Sequence, residues 1–285
     1  MRQYDFTILG GNKMDVTLNY YPCGKTKAIT LSYDDGRIYD RKLVDLCNRY
    51  GMKATFHLNS GFFGREGYVT KEEVGQLYQG HEVSVHTLTH PFLNHISRER
   101  ICQEVRQDRI NLERAVNYPI HGMSYPFGAY DAEVISLLKA QGIVYSRTTL
   151  ATDSFELPKD FMQWHPTCHH NHNLLENARR FLEPQRYQRM QLLYVWGHSF
   201  EFPRDNNWDV MEDFFQMVSG KEEIWFATNM EICRYVKSLK DLEFSADGSA
   251  VYNPSANSVW IGVDGRAAEV KPGRVCRLSG REKEE

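Results

Sequence analysis

The stretch Lys27-Ala28-Ile29-Thr30-Leu31-Ser32-Tyr33-Asp34-Asp35-Gly36 organises the predicted fold of this chain. Apolar and small polar residues alternate along it up to Tyr33, and β-branched and aromatic types are frequent, which predicts a short strand. The strand ends in two adjacent carboxylates, Asp34 and Asp35. Two neighbouring acids repel each other, so a strand end that carries both usually gives them a cation to bind or a proton to transfer. A plain Asp-Asp-Gly turn is the alternative.

A histidine pair lies about fifty residues further on. His86 and His90 follow a second short apolar run, Val83-Ser84-Val85. A spacing of four places two imidazoles on one side of a helical turn or tight loop, where both can bind one ion. Zinc sites with an open position use three protein ligands, drawn from histidine and carboxylate, plus water. One aspartate from the first strand would complete such a set, whereas two unrelated histidines on a surface loop are the alternative.

Strand and helix patterns alternate along most of the chain. Predicted strands lie at 28–33, 53–58, 82–86, 120–125, 143–147, 192–196 and 223–227, and predicted helices at 38–50, from 70–73 to 80, and at 97–117, 130–141, 208–219 and 228–240. Such alternation predicts a parallel sheet or barrel, whose chemistry lies at the carboxyl ends of the strands. The residues at those predicted ends are Asp34 and Asp35, His86 and His90, Tyr125 to Gly128, Arg147 and His198.

Four motifs carry a family resemblance. They are Asp34-Asp35-Gly36, Lys53-Ala54-Thr55-Phe56, Gly80-His81-Glu82-Val83 and His86-Thr87-x-x-His90. In this order and spacing the chain resembles the NodB-homology polysaccharide deacetylases of carbohydrate esterase family 4, from about Ala28 to about Tyr235. The resemblance implies an α/β fold, a distorted (β/α) barrel of about seven parallel strands. It also implies a metal-dependent hydrolase that removes N- or O-linked acetyl groups from carbohydrate.

The resemblance also implies roles for individual residues. Asp35, His86 and His90 would bind the metal and Asp34 would be the catalytic base. His198, in Val195-Trp196-Gly197-His198, matches the late family motif in position and would be the catalytic acid, although Trp196 replaces the leucine of that motif. We expect zinc, and cobalt, nickel or manganese would satisfy the same ligands.

His169 and His170, in a proline-rich segment, are rival residues for contact with metal or substrate. Cys168 beside them is a further candidate metal ligand.

The chain departs from the family after the fourth predicted strand. The family segment Arg-x-Pro-Tyr is here Ser124-Tyr125-Pro126-Phe127. The backbone N–H of Phe127 can still stabilise an oxyanion. The arginine that orients the base in the family is absent, and Arg147, at the end of the next strand, is our hypothesis for its substitute, because a guanidinium suits a carboxylate. The Asp-x-x-Asp-Trp motif of the family is not recognisable. The substrate-binding candidates are Phe127, Tyr125, Arg147 and Trp196.

Composition narrows the classes of function. The 285 residues carry a net charge of −3, so no basic surface argues for nucleic acid. No window approaches 18 consecutive apolar residues, and the first residues lack a secretory apolar region, so we expect no membrane segment and a cytoplasmic location. Six scattered cysteines without a Cys-x-x-Cys pattern favour reduced thiols.

The strand–helix alternation ends at about residue 240. Asn253-Pro254, Asp264-Gly265 and Pro272-Gly273 punctuate short apolar runs there, which predicts antiparallel strands. We therefore expect a barrel with an N-terminal extension over 1–240 and a small β-rich appendage, packed on the barrel, over 241–285.

The expected partner is an acetylated carbohydrate, and the oligomeric state stays open. Two other functions compete with deacetylation. A C–N hydrolase acting on a small amide or ureide would explain the lost family arginine and the lack of a secretion signal. A non-catalytic carbohydrate-binding relative would have no need for the intact set Asp34, Asp35, His86, His90 and His198.

Overall fold

The structure is a computed structural model and describes residues 3–7, 13–185, 187 and 189–278. Its strands are β1 Gln3–Thr7, β2 Lys13–Thr17, β3 Lys27–Asp34, β4 Ala54–Leu58, β5 Glu82–Val85, β6 Gly122–Ser124, β7 Tyr145–Arg147, β8 Cys168–His169, β9 Gln191–His198, β10 Ile224–Phe226, β11 Glu243–Phe244, β12 Ala250–Tyr252, β13 Val259–Val263, β14 Arg266–Val270 and β15 Val275–Arg277. Its helices are α1 Asp40–Arg49, α2 Val74–Leu77, α3 Arg98–Val116, α4 Ala132–Ala140, α5 Leu174–Leu182, α6 Glu201–Asp205, α7 Trp208–Val218 and α8 Asn229–Lys240.

A parallel sheet forms the centre of the molecule. Seven strands follow one another in the order β7-β6-β5-β4-β3-β9-β8, and β10 pairs in parallel with the first residues of β3. Strand β3, the stretch that organises the predicted fold, is buried along all 8 residues. Helices cover such a parallel sheet, so its strands lose contact with water on both faces. The predicted fold class, an α/β distorted barrel of about seven parallel strands with a small C-terminal antiparallel β appendage, is confirmed.

The sheet is strongly curled. Asp34 ends β3 and Arg147 ends β7, four steps apart in the strand order, and their side chains form a buried ion pair. Neighbouring strands lie about 4.8 Å apart, so four steps across a flat sheet would span roughly 19 Å. An arginine and an aspartate side chain cannot bridge that distance. The ion pair therefore requires the sheet to close toward a barrel around the carboxyl ends of its strands.

The two ends of the described chain share an antiparallel sheet. Its strand order is β1-β2-β13-β14, with Thr17 paired with Gly262 and Val16 with Val263. A second small sheet has the order β11-β12-β15. The sequence analysis groups the N-terminal extension with the barrel, whereas the structure pairs it with strands from the predicted appendage. The boundary at residue 240 stays a prediction.

Several predicted elements are shorter in the structure. The capping-box pattern at 70–73 predicts a helix that reaches residue 80, but α2 has only 4 residues. Glu73 does accept a hydrogen bond from the Thr70 N–H at 2.7 Å, and it also binds the Arg41 guanidinium of α1. The pattern therefore fixes a turn against α1 instead of starting a long helix. Within the described residues, no helix is both long and apolar enough to cross a membrane.

The N-terminus of α8 offers a test of the fold. Thr228 and Glu231 form a reciprocal capping box, in which each side chain accepts a hydrogen bond from the backbone N–H of the other residue. We expect Thr228→Ala to lower the free energy of unfolding by about 1 kcal/mol, because the Glu231 N–H in the first turn of α8 loses its acceptor. Urea unfolding measures this change. Thr228→Ser is the matched control and should unfold near the wild-type midpoint; equal loss in both variants would contradict the capping role.

Candidate metal and active site

Three side chains meet at the carboxyl ends of β3 and β5. The Asp35 Oδ1 atom lies 3.6 Å from His86 Nε2 and 3.7 Å from His90 Nε2. Asp35 and His90 have positive φ angles of 82° and 57°. This backbone region is uncommon for residues other than glycine, and such strain concentrates at functional sites. The positions of these ligand atoms therefore depend on two residues in a strained backbone conformation, Asp35 and His90.

The three residues fit a divalent metal ion. Their separations are too long for hydrogen bonds, yet close to the roughly 3.4 Å that tetrahedral bonds of about 2.1 Å impose between ligand atoms. The Nδ1 atom of His86 lies 3.0 Å from the Ser124 carbonyl oxygen, to which it can donate, so Nε2 is left free to bind a metal. Burial lowers the pKa of His86 well below its usual value, which keeps the imidazole neutral as a ligand must be.

Two acids of α3 hold the loop between the histidines. The Asp108 carboxylate accepts the His86 N–H at 3.1 Å and the Ser60 N–H at 2.7 Å. One turn earlier, Glu104 accepts the Thr89 N–H and the Thr89 hydroxyl, each at 2.7 Å. A spacing of four on a helix places both acids on one face. These contacts fix the loop that carries His86 and His90.

Asp34 lies beside the metal-binding group and is held by two partners. Arg147 donates to its Oδ2 atom, and the Ser124 hydroxyl donates to Oδ1 at 3.1 Å. Burial by itself would raise the pKa of Asp34, but the positive charge of Arg147 outweighs it and lowers that pKa below its usual range. Asp34 is therefore an ionised carboxylate with a fixed orientation.

Arg147 is itself fixed from several sides. It is fully buried, donates from Nη1 to the Thr148 carbonyl at 3.2 Å, and lies over the Trp196 ring at 4.4 Å from the centroid. A guanidinium over an indole face gains a cation–π interaction. The structure thus brings Arg147 to Asp34, as the hypothesis of a substitute arginine requires.

A second cluster surrounds His198. Its Nδ1 atom lies 3.3 Å from Glu201 Oε2, which also lies 3.0 Å from His169 Nε2 and 3.5 Å from His170 Nε2. Burial opposes a charge on His198, but the hydrogen bond with Glu201 and the carboxylates Asp34 and Asp35 raise its pKa. Burial also opposes charge on Glu201, and hydrogen bonds from His169 and His198 outweigh it and lower its pKa.

The second cluster has the composition of a metal site as well. His169, His198 and Glu201 have ligand atoms within 4.8 Å of one another. The distance of 3.0 Å from His169 to Glu201 is that of a hydrogen bond, shorter than a shared metal would impose. The first group therefore has the spacing of metal ligands, whereas the second is an imidazole–carboxylate cluster centred on Glu201. Cys168, the further candidate ligand, belongs to neither group.

The four predicted substrate-contacting residues differ in their exposure to solvent. The sequence analysis predicts such contact for Tyr125 and Trp196, whereas the structure buries both, with 0% and 8% exposure. The Tyr125 hydroxyl donates to the Met162 carbonyl at 2.8 Å, and the Trp196 ring packs between Arg147 and His169. Both residues therefore support the site from within. Arg147 likewise contacts Asp34 from a fully buried position.

Phe127 is the exposed member of that set. Its side chain is 53% exposed, its ring stacks on Phe92 at 3.8 Å, and its centroid lies 4.4 Å from that of His90. Its φ of 57° is again left-handed. Phe127 thus lies at the rim of the metal-binding group, where a substrate can reach it.

Glu201, Glu104 and Asp108 are absent from the sequence-based predictions. The spacing His198-x-x-Glu201 and two acids on the apolar stripe of a predicted helix were the available signals. Buried acids on such a stripe need partners, and here these are the loop N–H groups.

Comparisons with known proteins agree with this architecture. The family model of polysaccharide deacetylase matches residues 22–146. A peptidoglycan-N-acetylglucosamine deacetylase of Bacillus cereus is 28% identical over 106 residues, which are 36% of this chain and 47% of that protein. A chitooligosaccharide deacetylase of Bradyrhizobium sp. is 25% identical over 136 residues, 45% of this chain and 58% of that protein. The chain thus spans about half the length of the curated relatives it matches.

A solved structure of a candidate polysaccharide deacetylase from Mycobacterium smegmatis superposes with a TM-score of 0.59 at 16% identity, covering 79% of this chain and 94% of that one. At this identity the likeness shows the fold. Fold and site together define a curled parallel barrel with an Asp-His-His group at its strand ends. Residues 22–146 match the polysaccharide deacetylase family, as the motifs around Asp34 and His86 predict.

The ligand assignment predicts how metal binding responds to substitution. We expect His90→Gln to weaken binding of zinc at least about a hundredfold, because losing a ligand costs more than losing a partner behind one. Equilibrium dialysis with metal analysis measures this. His121→Gln is the control, since His121 precedes β6 at the opposite end of the sheet. Unchanged affinity in His90→Gln would remove that residue from the ligand set, and we expect Glu201→Gln to leave one zinc bound.

Proposed function

We propose that the protein is a metal-dependent hydrolase that removes acetyl groups, N- or O-linked, from a carbohydrate. The observation that carries the proposal is the position of Asp34. It is an ionised carboxylate, held by Arg147, that lies 3.7 Å from the ligand atom of His86. A carboxylate in this place can accept a proton from a group bound at Asp35, His86 and His90. A structural metal site would not need such a neighbour.

The metal would be held by Asp35, His86 and His90. When bound, a zinc-type ion lowers the pKa of its water and polarises a carbonyl group. Asp34 acts as the base, since Arg147 and the Ser124 hydroxyl keep it ionised and aim one oxygen at the site. General bases of this kind contribute about 10²–10⁴-fold to a rate.

His198 acts as the acid that protonates the leaving group. Glu201 on its Nδ1 side favours the charged imidazole and leaves the Nε2 proton for transfer. Phe127 contributes its backbone N–H to the developing oxyanion, as the family pattern suggests, and its exposed ring offers a sugar a stacking surface. The acid and the base thus come from different strands, β9 and β3.

Acetylated carbohydrate is the substrate class that the family favours. Two of the chain's relatives are deacetylases of peptidoglycan N-acetylglucosamine and of chitooligosaccharide. Acetylated monosaccharides, short chito-oligomers and xylo-oligomers are the first substrates to assay.

Acetate release tests the proposal. We expect release from at least one of these carbohydrates in the presence of zinc, loss of release with chelator, and recovery when the metal is restored. Asp34→Asn should abolish release while zinc remains bound. Turnover of small amides or ureides alone would instead indicate the competing C–N hydrolase. Binding of sugars without any turnover would indicate a carbohydrate-binding relative.

The role of Arg147 has its own test. We expect Arg147→Lys to lower kcat about a hundredfold with little change in KM, because the shorter ammonium leaves Asp34 misplaced by about 1 Å. Steady-state kinetics on the released acetate measure this. Arg147→Lys keeps a buried positive charge beside Asp34, so we expect this variant to fold. Arg147→Ala leaves the buried Asp34 carboxylate without a partner and should destabilise the fold. Wild-type kcat in a folded Arg147→Lys or Arg147→Ala variant would contradict the positioning role.

A further inference from the structure

A second arginine, Arg37, lies directly after the Asp-Asp-Gly turn. Its backbone is fixed by a bridge to Tyr68, and the flanking hydrogen bonds are Ile38 N–H to the Gly67 carbonyl at 3.1 Å and Val69 N–H to the Gly36 carbonyl at 3.0 Å. A Cβ on Gly67 would lie 3.2 Å from a terminal nitrogen of Arg37. The absence of a side chain at Gly67 therefore leaves room for the guanidinium of Arg37.

Two aromatic rings hold the guanidinium of Arg37. Its central carbon lies 4.3 Å from the centroid of the Tyr68 ring and 5.2 Å from that of Phe200. Its Nε atom is buried and has no hydrogen-bond partner, although the side chain as a whole is half-buried. Among the residues that the structure describes, no carboxylate oxygen lies within ion-pair distance of this guanidinium. Arg37 is therefore a fixed, partly desolvated cation with unused donors.

Other arginines near the site differ in this respect. Arg147 is paired with Asp34, and Arg204, which also lies over the Phe200 ring, is paired with Asp205 at 2.7 Å. A desolvated cation without an anion costs free energy, and a site usually recovers it by binding one. Stacking on two rings orients the guanidinium before any ligand arrives, so little conformational entropy is lost on binding.

Arg37 is close to the reacting groups. The Phe200 ring lies between it and His198, with a centroid distance of 5.2 Å to the His198 ring. Along the chain, Arg37 follows Asp35 by two residues. Of the two adjacent acids, Asp34 is paired with Arg147, and Asp35 faces the imidazoles of His86 and His90. An anion at Arg37 would therefore lie across the Phe200 ring from His198.

We propose that Arg37 binds an anionic substituent of the sugar, a carboxylate or a phosphate, so that the preferred substrate is an acidic acetylated carbohydrate. The inference rests on the proposed function and adds the substrate class to it. A guanidinium presents paired N–H donors that match either anion, and such charge-assisted hydrogen bonds are stronger than neutral ones. The contact places the acetyl-bearing sugar ring between Arg37 and the metal-binding group.

The test compares three forms of one oligomer. They are the neutral tetramer of N-acetylglucosamine, the same tetramer oxidised to carboxylates at C6, and the tetramer phosphorylated at C6. We expect the wild type to release acetate with a kcat/KM about tenfold to a hundredfold higher for one acidic form than for the neutral form. Which acidic form is preferred distinguishes carboxylate from phosphate recognition.

Substitution then assigns the preference to the residue. Arg37→Met keeps an apolar stem between Tyr68 and Phe200 and removes the charge. It should abolish the preference, mainly through KM, while acetate release from the neutral tetramer stays within about twofold. Arg37→Lys keeps a charge and should retain part of the preference. Lys42→Met is the control, because Lys42 also lies over an aromatic ring, Trp208 at 4.4 Å, but on α1.

The outcomes separate this inference from the proposed function. Release from the neutral tetramer with no preference for an acidic form, or a preference that survives Arg37→Met, would overturn the role of Arg37 and leave the deacetylase intact. An equal loss on all three oligomers would show a structural role only. If none is hydrolysed, calorimetric binding of the acidic tetramers decides: binding about tenfold weaker in Arg37→Met supports the inference, and equal binding refutes it.

Discussion

The buried ion pair between Asp34 and Arg147 is the constraint on which the rest of the structure depends. It joins the ends of β3 and β7, so it is possible only when the parallel sheet curls. The same curl brings the end of β5, with His86, against Asp35. A buried charge pair contributes little net stability compared with apolar packing, but breaking it leaves an uncompensated charge. Here the pair fixes the orientation of Asp34 beside the candidate metal-binding group.

The charges around this pair form a consistent pattern. Two carboxylates of the site have partners assigned to them: Arg147 and Ser124 for Asp34, and the imidazoles of His169 and His198 for Glu201. The positive groups are matched in the same way, with the single proposed exception of Arg37 among those described. These partners hold the acidic and imidazole side chains of the site in fixed orientations within a few ångströms of one another.

The pattern of strands in the sequence predicts the site residues that directly follow a strand. Strand β3 ends at its carboxylates, β5 precedes its histidines, and the carboxyl ends of parallel strands meet, so the pattern predicts one aspartate beside His86 and His90. The family resemblance implies that this aspartate is Asp35, and the arginine missing from the family motif suggests Arg147 as the partner of Asp34. Glu201 and the α3 acids are not among the predictions. Spacing and periodicity place them near His198 or on a buried helix stripe, but do not show which backbone and imidazole groups they bind.

The long-range pairing of β2 with β13 left no local signal either. The burial of Tyr125 and Trp196 depends on which face of the curled sheet each side chain occupies, and this follows only from tertiary packing.

The central claim is that Asp35, His86 and His90, and not the cluster around Glu201, hold the metal of this protein. Anomalous diffraction from crystals grown with zinc, recorded on both sides of the zinc absorption edge, tests it most directly. The account predicts a strong anomalous peak about 2.1 Å from Asp35, His86 and His90. A peak between His169, His198 and Glu201 with none at the first group would contradict it, since His198 would then be a metal ligand and not the acid.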